Sequence, residues 1–242
     1  MVEETTVLIP DKLYVIQNPD FFKFGNDSVF LAEFTEVKSG NTIVEFGTGS
    51  GVIPLLLAYK KKPERVIGIE IQDSFVEMAR RSVKLNGLTE KIEIMKGDFT
   101  RASDLIKPGT VDIVVTNPPY MPVNAGKITL GKEKAIARHE IYGTLEDVIR
   151  EASILLKYGG KMTMVHKVIR ASEVICLLKK YELEPKRIRL IQSRIKTPPK
   201  TLLIEARKGS RPGLEIEPVL LVYEEDSEEY TREVQEIYGD GY

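Results

Sequence analysis

Cysteine and histidine are nearly absent: the 242 residues include one cysteine, Cys176, and two histidines, His139 and His166. A single cysteine excludes an intrachain disulfide and a metal site built from several cysteines. The two histidines lack partners at metal-ligand spacing, so we expect no metal and interpret both as structural or phosphate-facing. Apolar neighbours in Val174–Leu178 predict that Cys176 lies on a buried helix face.

Long apolar runs are absent as well, since none approaches the roughly 18 residues that a membrane-spanning helix needs. The first residues, Met1–Glu4, are acidic, unlike the basic and apolar start of a secretory signal. We therefore expect a cytoplasmic protein without a membrane partner. The length predicts a single domain over residues 1–242, with an N-terminal extension at 1–38, a core at 39–208 and an acidic extension at 209–242. It leaves open whether the protein is a monomer or a homodimer.

The whole chain has no large excess of positive or negative charge, but two of its segments do. Residues 157–211 contain fifteen Lys and Arg against four Asp and Glu, whereas residues 212–242 contain ten acids against Arg232 alone. One interpretation is a phosphate-binding face near an active site, as in proteins that bind RNA. The other is a solvated surface whose two halves neutralise each other. Composition does not decide between them.

Short β-branched runs alternate with helical patterns, which predicts an α/β fold with a mostly parallel sheet covered on both faces. A capping box at Ser74 and Glu77 predicts the start of a helix that Asn86–Gly87 ends. Two last strands predict an antiparallel edge. The predicted strands are Thr42–Phe46, Arg65–Ile69, Lys91–Met95, Val111–Val115, Lys161–Val165, Glu184–Ile191 and Thr201–Ala206; further helices are predicted from about Thr144 to Tyr158 and from beyond Lys167 to about Tyr181.

The first of these strands runs directly into the glycine-rich loop Gly47–Gly51, which a helix follows. Glycines at alternate positions, Gly47, Gly49 and Gly51, permit a tight turn and let backbone N–H groups at a helix start hold a ligand. The third glycine comes one position early for the Gly-x-Gly-x-x-Gly dinucleotide pattern, so the spacing favours S-adenosylmethionine over NAD. Glu45 is expected either to meet the ammonium group of that cofactor or to anchor the loop.

Acidic residues at two later strand ends complete the predicted cofactor site. Glu70 closes the second strand about twenty residues after the loop, where a carboxylate accepts hydrogen bonds from both ribose hydroxyls. After the third strand, Asp98 is placed to accept from the adenine amino group and Phe99 to pack near its ring. Each acid taken singly is also explained as a helix cap or a solvated residue. Their order behind a glycine loop favours the cofactor site.

The fourth strand ends in Asn117–Pro118–Pro119–Tyr120, at the edge where α/β sheets place their ligands. The Asn117 side-chain oxygen and the Pro118 carbonyl are predicted to accept the two hydrogens of a target NH2 group. Such acceptors aim the nitrogen lone pair and stabilise charge that develops on the nitrogen. Pro119 makes the turn rigid, and Tyr120 offers a face on which a flipped base stacks, or else packs as a core aromatic. Cytosine C5 methylation is disfavoured because it requires a cysteine nucleophile.

With these motifs, the sequence resembles the class I S-adenosylmethionine-dependent methyltransferases of the N6-adenine type, which have a Rossmann-like fold with a seven-stranded sheet. More narrowly, it resembles the bacterial family that methylates the adenine 3′ of the anticodon in a valine tRNA. The resemblance covers nearly the whole chain and rests on Phe22–Asp27, Glu45–Gly51, Asn117–Tyr120, Ala137–Glu140, Pro212–Leu214 and Tyr230–Thr231.

That resemblance implies roles for two further segments. Phe24, Gly25 and Asp27 would close over the cofactor, and the stretch Lys127–His139 would form a loop facing the tRNA. The basic residues that we expect to contact RNA are Lys127, Lys132, Lys134, Arg138, His139, Lys167, Arg194, Lys196 and Lys200.

The sequence is also compatible with three other functions. A protein-glutamine N5-methyltransferase uses the same Asn-Pro-Pro-Tyr arrangement on an amide. Its family has an additional helical domain ahead of the cofactor loop. In this sequence only about forty residues precede Glu45, which disfavours that alternative. A guanine-N2 RNA methyltransferase is a second enzymatic alternative. The non-enzymatic alternative is a catalytically silent RNA-binding module, which would fail to bind the cofactor.

Overall fold

The computed structural model describes residues 3–19, 24–118 and 143–239. The strands are β1 (Glu4–Ile9), β2 (Leu13–Gln17), β3 (Thr42–Phe46), β4 (Arg65–Glu70), β5 (Ile92–Lys96), β6 (Val111–Thr116), β7 (Leu156–Lys167), β8 (Leu183–Gln192), β9 (Thr201–Lys208), β10 (Glu215–Ile216) and β11 (Leu220–Leu221). The α-helices are α1 (Asn26–Phe34), α2 (Val52–Lys60), α3 (Asp73–Leu85), α4 (Ala102–Leu105), α5 (Leu145–Leu155), α6 (Ala171–Lys180) and α7 (Arg232–Tyr238).

The main sheet confirms the predicted fold class. Over the described residues its strands lie in the order β10-β8-β9-β7-β6-β3-β4-β5, with β11 also paired to β8. Strands β5, β4, β3, β6 and β7 are parallel neighbours, whereas β9 is antiparallel to both β7 and β8. The seven longer strands are those that the sequence predicts. The antiparallel pair β8–β9 confirms the predicted antiparallel edge, and the short strands β10 and β11 additionally pair with β8 and cover its backbone.

Helix α3 begins earlier than its sequence pattern predicts. Its N-cap is Gln72, which makes no side-chain capping bond, so the predicted capping box of Ser74 and Glu77 is wrong. Ser74 is the second residue of the helix, and its side chain therefore lies inside the first turn, where it cannot cap. The predicted end is confirmed, because Asn86 is the C-cap and Gly87 follows with a φ of +65°.

A capping box does start α5. The Thr144 hydroxyl accepts from the Asp147 N–H at 3.2 Å, and the Asp147 carboxylate accepts from the Thr144 N–H at 3.0 Å. The helix ends at Leu155 rather than near Tyr158, because the chain continues directly as β7.

Helix α6 confirms the predicted helix after Lys167 but not the predicted burial of Cys176, which is exposed. Val174 and Leu178 are buried and lie one turn apart, so they mark the inner face of the helix. Cys176 is two positions from each and therefore points away from that face. The apolar run around it misled the prediction.

Apolar side chains are buried on both faces of the sheet, one cluster beneath α1, α2 and α3 and the other beneath α4, α5 and α6. The β1–β2 hairpin packs on α3, where the Ile16 N–H donates to the Ser82 hydroxyl at 2.9 Å. Among the described segments, no helix has the length and apolar character needed to cross a membrane.

The parallel strands β3, β4, β6 and β7 bring their carboxyl ends to one edge of the sheet. Ligands of open α/β sheets bind outside this edge. The loops that follow β3, β4 and β6 therefore form one site, although they are far apart in sequence. The proposed boundaries at residues 38 and 208, and the assignment of the chain to one domain, stay predictions.

Candidate functional site

A cavity opens at the carboxyl ends of β3, β4 and β6. Its walls come from the loops after these strands and from the start of α1. The lining residues are Phe24, Ser28, Glu45, Phe46, Gly47, Thr48, Gly49, Ser50, Val52, Ile53, Glu70, Ile71, Gln72, Phe75, Phe99, Thr116, Asn117, Pro118 and Gly143. The cavity thus brings together the predicted glycine loop, both strand-end glutamates and the described half of the Asn-Pro-Pro-Tyr motif. Four predicted cofactor residues, Gly25, Asp27, Gly51 and Asp98, are not among its lining residues.

The loop after β3 takes its shape from left-handed glycines. Gly47, Gly49 and Gly51 have φ angles of +70°, +53° and +90°, where any other residue would be strained. The Gly47 N–H donates to the Ile69 carbonyl at 2.9 Å, which ties the loop to β4. A Cβ atom on Gly47 or Gly49 would meet nothing within 4 Å, so a ligand can approach the backbone there. Gly51 instead begins α2 and packs against Ala79 of α3.

Glu45 is buried at the end of β3 and anchors the glycine loop. Its side chain is only 2% exposed, and its carboxyl group accepts a hydrogen bond from the Thr48 hydroxyl. Burial raises the pKa of Glu45 to about 8; the Thr48 hydrogen bond opposes this shift and the charge of Glu70 adds to it. Because Glu45 also lines the cavity, the anchoring role and the predicted contact with an ammonium group are compatible.

Glu70 joins the loops after β3 and β4. One carboxylate oxygen accepts from the Gly49 N–H at 2.9 Å, and the other accepts from the Ile71 and Gln72 N–H groups at 2.9 and 3.0 Å. Burial raises the pKa of Glu70, while these backbone hydrogen bonds lower it. A carboxylate has about four acceptor positions, so Glu70 can receive a further donor such as a ribose hydroxyl.

Two residues of this region were not singled out from the sequence, Thr48 and Gly68. A Cβ atom on Gly68 would lie 2.8 Å from the Thr48 hydroxyl oxygen and 3.0 Å from Ile94. Gly68 therefore makes room in β4 for the side chain that bonds to Glu45. The sequence signal was a glycine inside an otherwise β-branched strand, which often marks a close approach of other atoms.

Phe99 and Asp98 are adjacent in sequence, but of the two only Phe99 lines the cavity. Phe99 lines the cavity and stacks on Phe46, with ring centroids 5.9 Å apart. Asp98 caps the following 3₁₀ turn, because its carboxylate accepts from the Thr100 N–H at 2.9 Å and from the Thr100 hydroxyl at 2.7 Å. The predicted contact of Asp98 with an adenine amino group stays a prediction.

Asn117 follows β6 and faces the cavity beside the glycine loop. Its side-chain nitrogen donates to the hydroxyl oxygen of Ser28, on α1, at 3.0 Å. The nitrogen of the amide is thereby directed at Ser28, and the oxygen takes the other end of the planar group. Pro118 is buried and also lines the cavity. Pro119 and Tyr120 lie outside the described residues.

The predicted N-terminal segment reaches the cavity through Phe24 and through Ser28, which sequence reasoning missed. Gly25 is the N-cap of α1, and its carbonyl accepts from the Ser28 N–H at 3.2 Å. Asp27 forms an ion pair with Lys167 at 3.3 Å. The described part of the segment thus positions α1 against the end of β7. Nothing in the sequence pattern alone marks Ser28 as a site residue.

The basic residues expected at an RNA surface fall into four groups. Lys167 pairs with Asp27, as described above. Arg194 donates to the Glu224 carbonyl at 2.6 Å and to the Glu228 carboxylate at 2.5 Å, and Lys196 forms an ion pair with Glu225. The acidic extension therefore lies against Arg194 and Lys196, as the neutralising interpretation of the charge pattern predicted. Lys200 is exposed. Lys127, Lys132, Lys134, Arg138 and His139 lie in the part of the chain that is not described.

His166 is fully buried, which supports the structural interpretation and contradicts a phosphate-facing one. Its Nδ1 accepts from the Lys167 N–H at 2.9 Å. Burial lowers the pKa of His166 to about 4, and the positive charge of Arg170 adds to this shift. In residues 3–19, 24–118 and 143–239, no group of three or more His, Cys, Asp or Glu side chains could hold a metal ion.

The cavity has the features that S-adenosylmethionine requires. Phe99, Phe75 and Ile71 line it with apolar side chains, against which an adenine ring would pack. Glu70 would accept from the ribose hydroxyls. Glu45 is a buried carboxyl group, and a nearby ammonium would favour its ionised form. The open space above the glycine loop admits the rest of the molecule. The residues present therefore fit this cofactor.

Comparisons with known proteins give a consistent result. The family model of the methyltransferase small domain matches residues 23–182. The chain is 27% identical over 216 residues to the tRNA1(Val) (adenine(37)-N6)-methyltransferase of Bacteroides thetaiotaomicron, which covers 87% of this chain and 89% of that protein. It is 28% identical over 164 residues to the protein of the same name in Aeromonas salmonicida, which covers 66% of each.

Among solved structures, the chain is similar to a predicted O-methyltransferase, protein Atu636 from Agrobacterium tumefaciens. The TM-score is 0.71 with 25% sequence identity, and the match covers 89% of this chain and 98% of that chain.

Proposed function

The chain belongs to the methyltransferase small domain family, and on that premise we propose that it methylates N6 of an adenine in RNA with S-adenosylmethionine as the methyl donor. The curated relatives are named for adenine 37 of tRNA1(Val). We propose the same target for this chain, the adenine 3′ of the anticodon in a valine tRNA.

One observation carries the proposal: Asn117 lies in the cofactor cavity with its amide nitrogen bonded to Ser28. The amide oxygen is then an acceptor beside the cofactor, where an exocyclic NH2 group would donate to it. The Pro118 carbonyl is the proposed acceptor for the second hydrogen. An adenine amino group has two such hydrogens, so the pair of acceptors matches its chemistry.

The acceptors serve a chemical purpose, because the lone pair of an exocyclic amine is delocalised into the ring and the amine is a weak nucleophile. S-adenosylmethionine supplies an electrophilic methyl group when it is bound. Asn117 and Pro118 hold the amine with its lone pair directed out of the plane and stabilise positive charge that develops on nitrogen. As the methyl–nitrogen bond forms, the methyl–sulfur bond of the donor would break, and the amine would then lose its proton to water, so no dedicated general base is required.

We also propose roles for residues beyond the described part of the chain. Pro119 would make the turn rigid, and Tyr120 would stack on the flipped adenine. Lys127, Lys132, Lys134, Arg138 and His139 would contact phosphate groups, as would Lys200. Arg194 and Lys196 contribute less in this proposal, because carboxylates already neutralise them.

The test is to incubate the purified protein with radiolabelled S-adenosylmethionine and unmodified total tRNA, digest the RNA and identify the labelled nucleoside. The expected label is in N6-methyladenosine. Label in N2-methylguanosine would support the guanine alternative, and label in an added release factor but not in RNA would support the glutamine alternative. A sample that binds no cofactor would support a silent RNA-binding module.

A further inference from the structure

The described contact between Asn117 and Ser28 joins two distant parts of the chain. Ser28 is on α1 and Asn117 follows β6, yet the amide nitrogen and the hydroxyl oxygen are 3.0 Å apart. Ser28 is 7% exposed and lines the same cavity. Ser28 is therefore buried at the cavity wall, and the contact lies beside the proposed reaction centre.

The direction of this hydrogen bond matters because the two ends of an asparagine amide have nearly the same shape. Rotation by half a turn would exchange the acceptor oxygen and the donor nitrogen. In the rotated amide, an NH2 group would face the NH2 group of the target, and neither could accept from the other. A site that uses Asn117 as an acceptor therefore needs contacts that hold the amide group in place.

We infer that Ser28 is a positioning residue that holds the Asn117 side chain beside the proposed reaction centre. Its hydroxyl oxygen accepts from the amide nitrogen, so the amide lies with its nitrogen end against Ser28. The inference deepens the proposed function and rests on it, since it assumes a target with an NH2 group. It applies to any such target, whether adenine, guanine or a glutamine amide.

The surroundings of Ser28 hold it in place for this role. The Ser28 N–H donates to the Gly25 carbonyl, which fixes the first turn of α1. The neighbouring Asn26 side chain accepts from the Tyr238 hydroxyl at 2.8 Å and donates to the Tyr230 hydroxyl at 3.3 Å. The C-terminal segment thus braces the start of α1, and Ser28 acts from a fixed point rather than from a loose loop.

The test compares methyl transfer to tRNA by Ser28→Ala, Ser28→Thr and Asn117→Ala and by the double variant Ser28→Ala/Asn117→Ala. Ser28→Ala is expected to lower kcat by about tenfold, the effect of one lost hydrogen bond, with the affinity for S-adenosylmethionine unchanged. Ser28→Thr keeps the hydroxyl and is expected to restore most of kcat. In the double variant, loss of Ser28 is expected to add nothing to the effect of Asn117→Ala, because Ser28 acts only through Asn117.

Ser82→Ala is the matched control, because Ser82 is another buried helical serine whose hydroxyl bonds to backbone groups far from the cavity. It is expected to lower stability without changing kcat. The inference is overturned if the effects of Ser28→Ala and Asn117→Ala on kcat multiply, or if Ser82→Ala lowers kcat as much as Ser28→Ala does. If the wild-type protein methylates an NH2 group other than that of adenine while the Ser28 series behaves as expected, the proposed function fails and the positioning role stands.

Discussion

The two sides of the cavity are built in different ways. The cofactor side comprises the loops after β3 and β4 with Glu45, Thr48 and Glu70, whose described hydrogen bonds run mostly between residues close to one another along these two loops. The target side comprises Asn117 and Pro118 after β6 and depends on a bond to Ser28, 89 residues earlier in the chain.

This difference indicates that the two sides of the cavity have different functions. Glu70 with its three backbone donors and buried Glu45 with the Thr48 hydroxyl make the cofactor side rigid before any ligand binds. The target side has an amide whose oxygen must face the substrate, so its function depends on orientation more than on shape. Changes on the target side should therefore alter turnover, and changes on the cofactor side should alter binding and stability.

The largest effect is expected for Asn117→Ala. Loss of the acceptor oxygen should lower kcat by about 100-fold or more, comparable to the loss of a donor from an oxyanion hole. The affinity for S-adenosylmethionine should stay within about threefold, a change of less than ~1 kcal/mol in binding free energy. Calorimetric titration and single-turnover methylation of tRNA measure the two quantities separately, and equal loss of both would refute the role of Asn117.

Glu70→Ala is expected to have a large effect on stability and on cofactor affinity. This substitution leaves three backbone N–H groups without their carboxylate, which should lower the free energy of unfolding by about 1–3 kcal/mol or more. The affinity for S-adenosylmethionine should fall at least about tenfold, a binding free energy of ~1.4 kcal/mol. Glu70→Gln keeps one acceptor oxygen and is the control. Its expected losses of stability and of cofactor affinity are smaller. Unchanged affinity in Glu70→Ala would separate Glu70 from the cofactor.

Gly68→Ala is expected to have a moderate effect. The added Cβ would lie 2.8 Å from the Thr48 hydroxyl oxygen, so Thr48 must move away from Glu45. Overpacking of this kind usually costs about 1–3 kcal/mol of stability. Urea unfolding should show the loss, and weaker cofactor binding should accompany it. A variant with unchanged stability would mean that the glycine loop tolerates displacement of Thr48.

The most gradual effect is expected in the pH dependence of stability. Unfolded Glu45 ionises near its ordinary pKa of 4.5, whereas the folded group keeps its proton until about pH 8. The folded state therefore binds more protons between these values, and the free energy of unfolding falls as pH rises through this range. One proton limits the slope to about 1.4 kcal/mol per pH unit. Glu45→Gln should remove this component in cofactor-free protein, and identical slopes in both proteins would contradict the buried, protonated Glu45.

Much of the cofactor side was predictable because its signals are local. A glycine loop directly after a strand and an acid at the end of the next strand predict that Gly47, Gly49 and Glu70 come together, and all three line the cavity. Asn117 was predictable for the same reason, since parallel strands bring their carboxyl ends together. The partners of Glu70 were not, because backbone donors carry no sequence signal.

The features that the sequence did not predict depend on contacts between distant segments. Ser28 becomes a site residue only when α1 packs beside β6, and Arg194 meets Glu228 only when the C-terminal extension folds back. The error at Cys176 arose because four apolar neighbours suggested burial, while the helix places that residue on its outer face. Long-range packing decides each of these cases.

The central claim is that this chain methylates N6 of the adenine 3′ of the anticodon in a valine tRNA. The most direct measurement uses two transcripts of that tRNA, one with adenine at this position and one with inosine, which has an oxygen in place of the amino group. With labelled S-adenosylmethionine, the adenine transcript should accept one methyl group, recovered as N6-methyladenosine, and the inosine transcript should accept none. Equal labelling of both transcripts would contradict the claim.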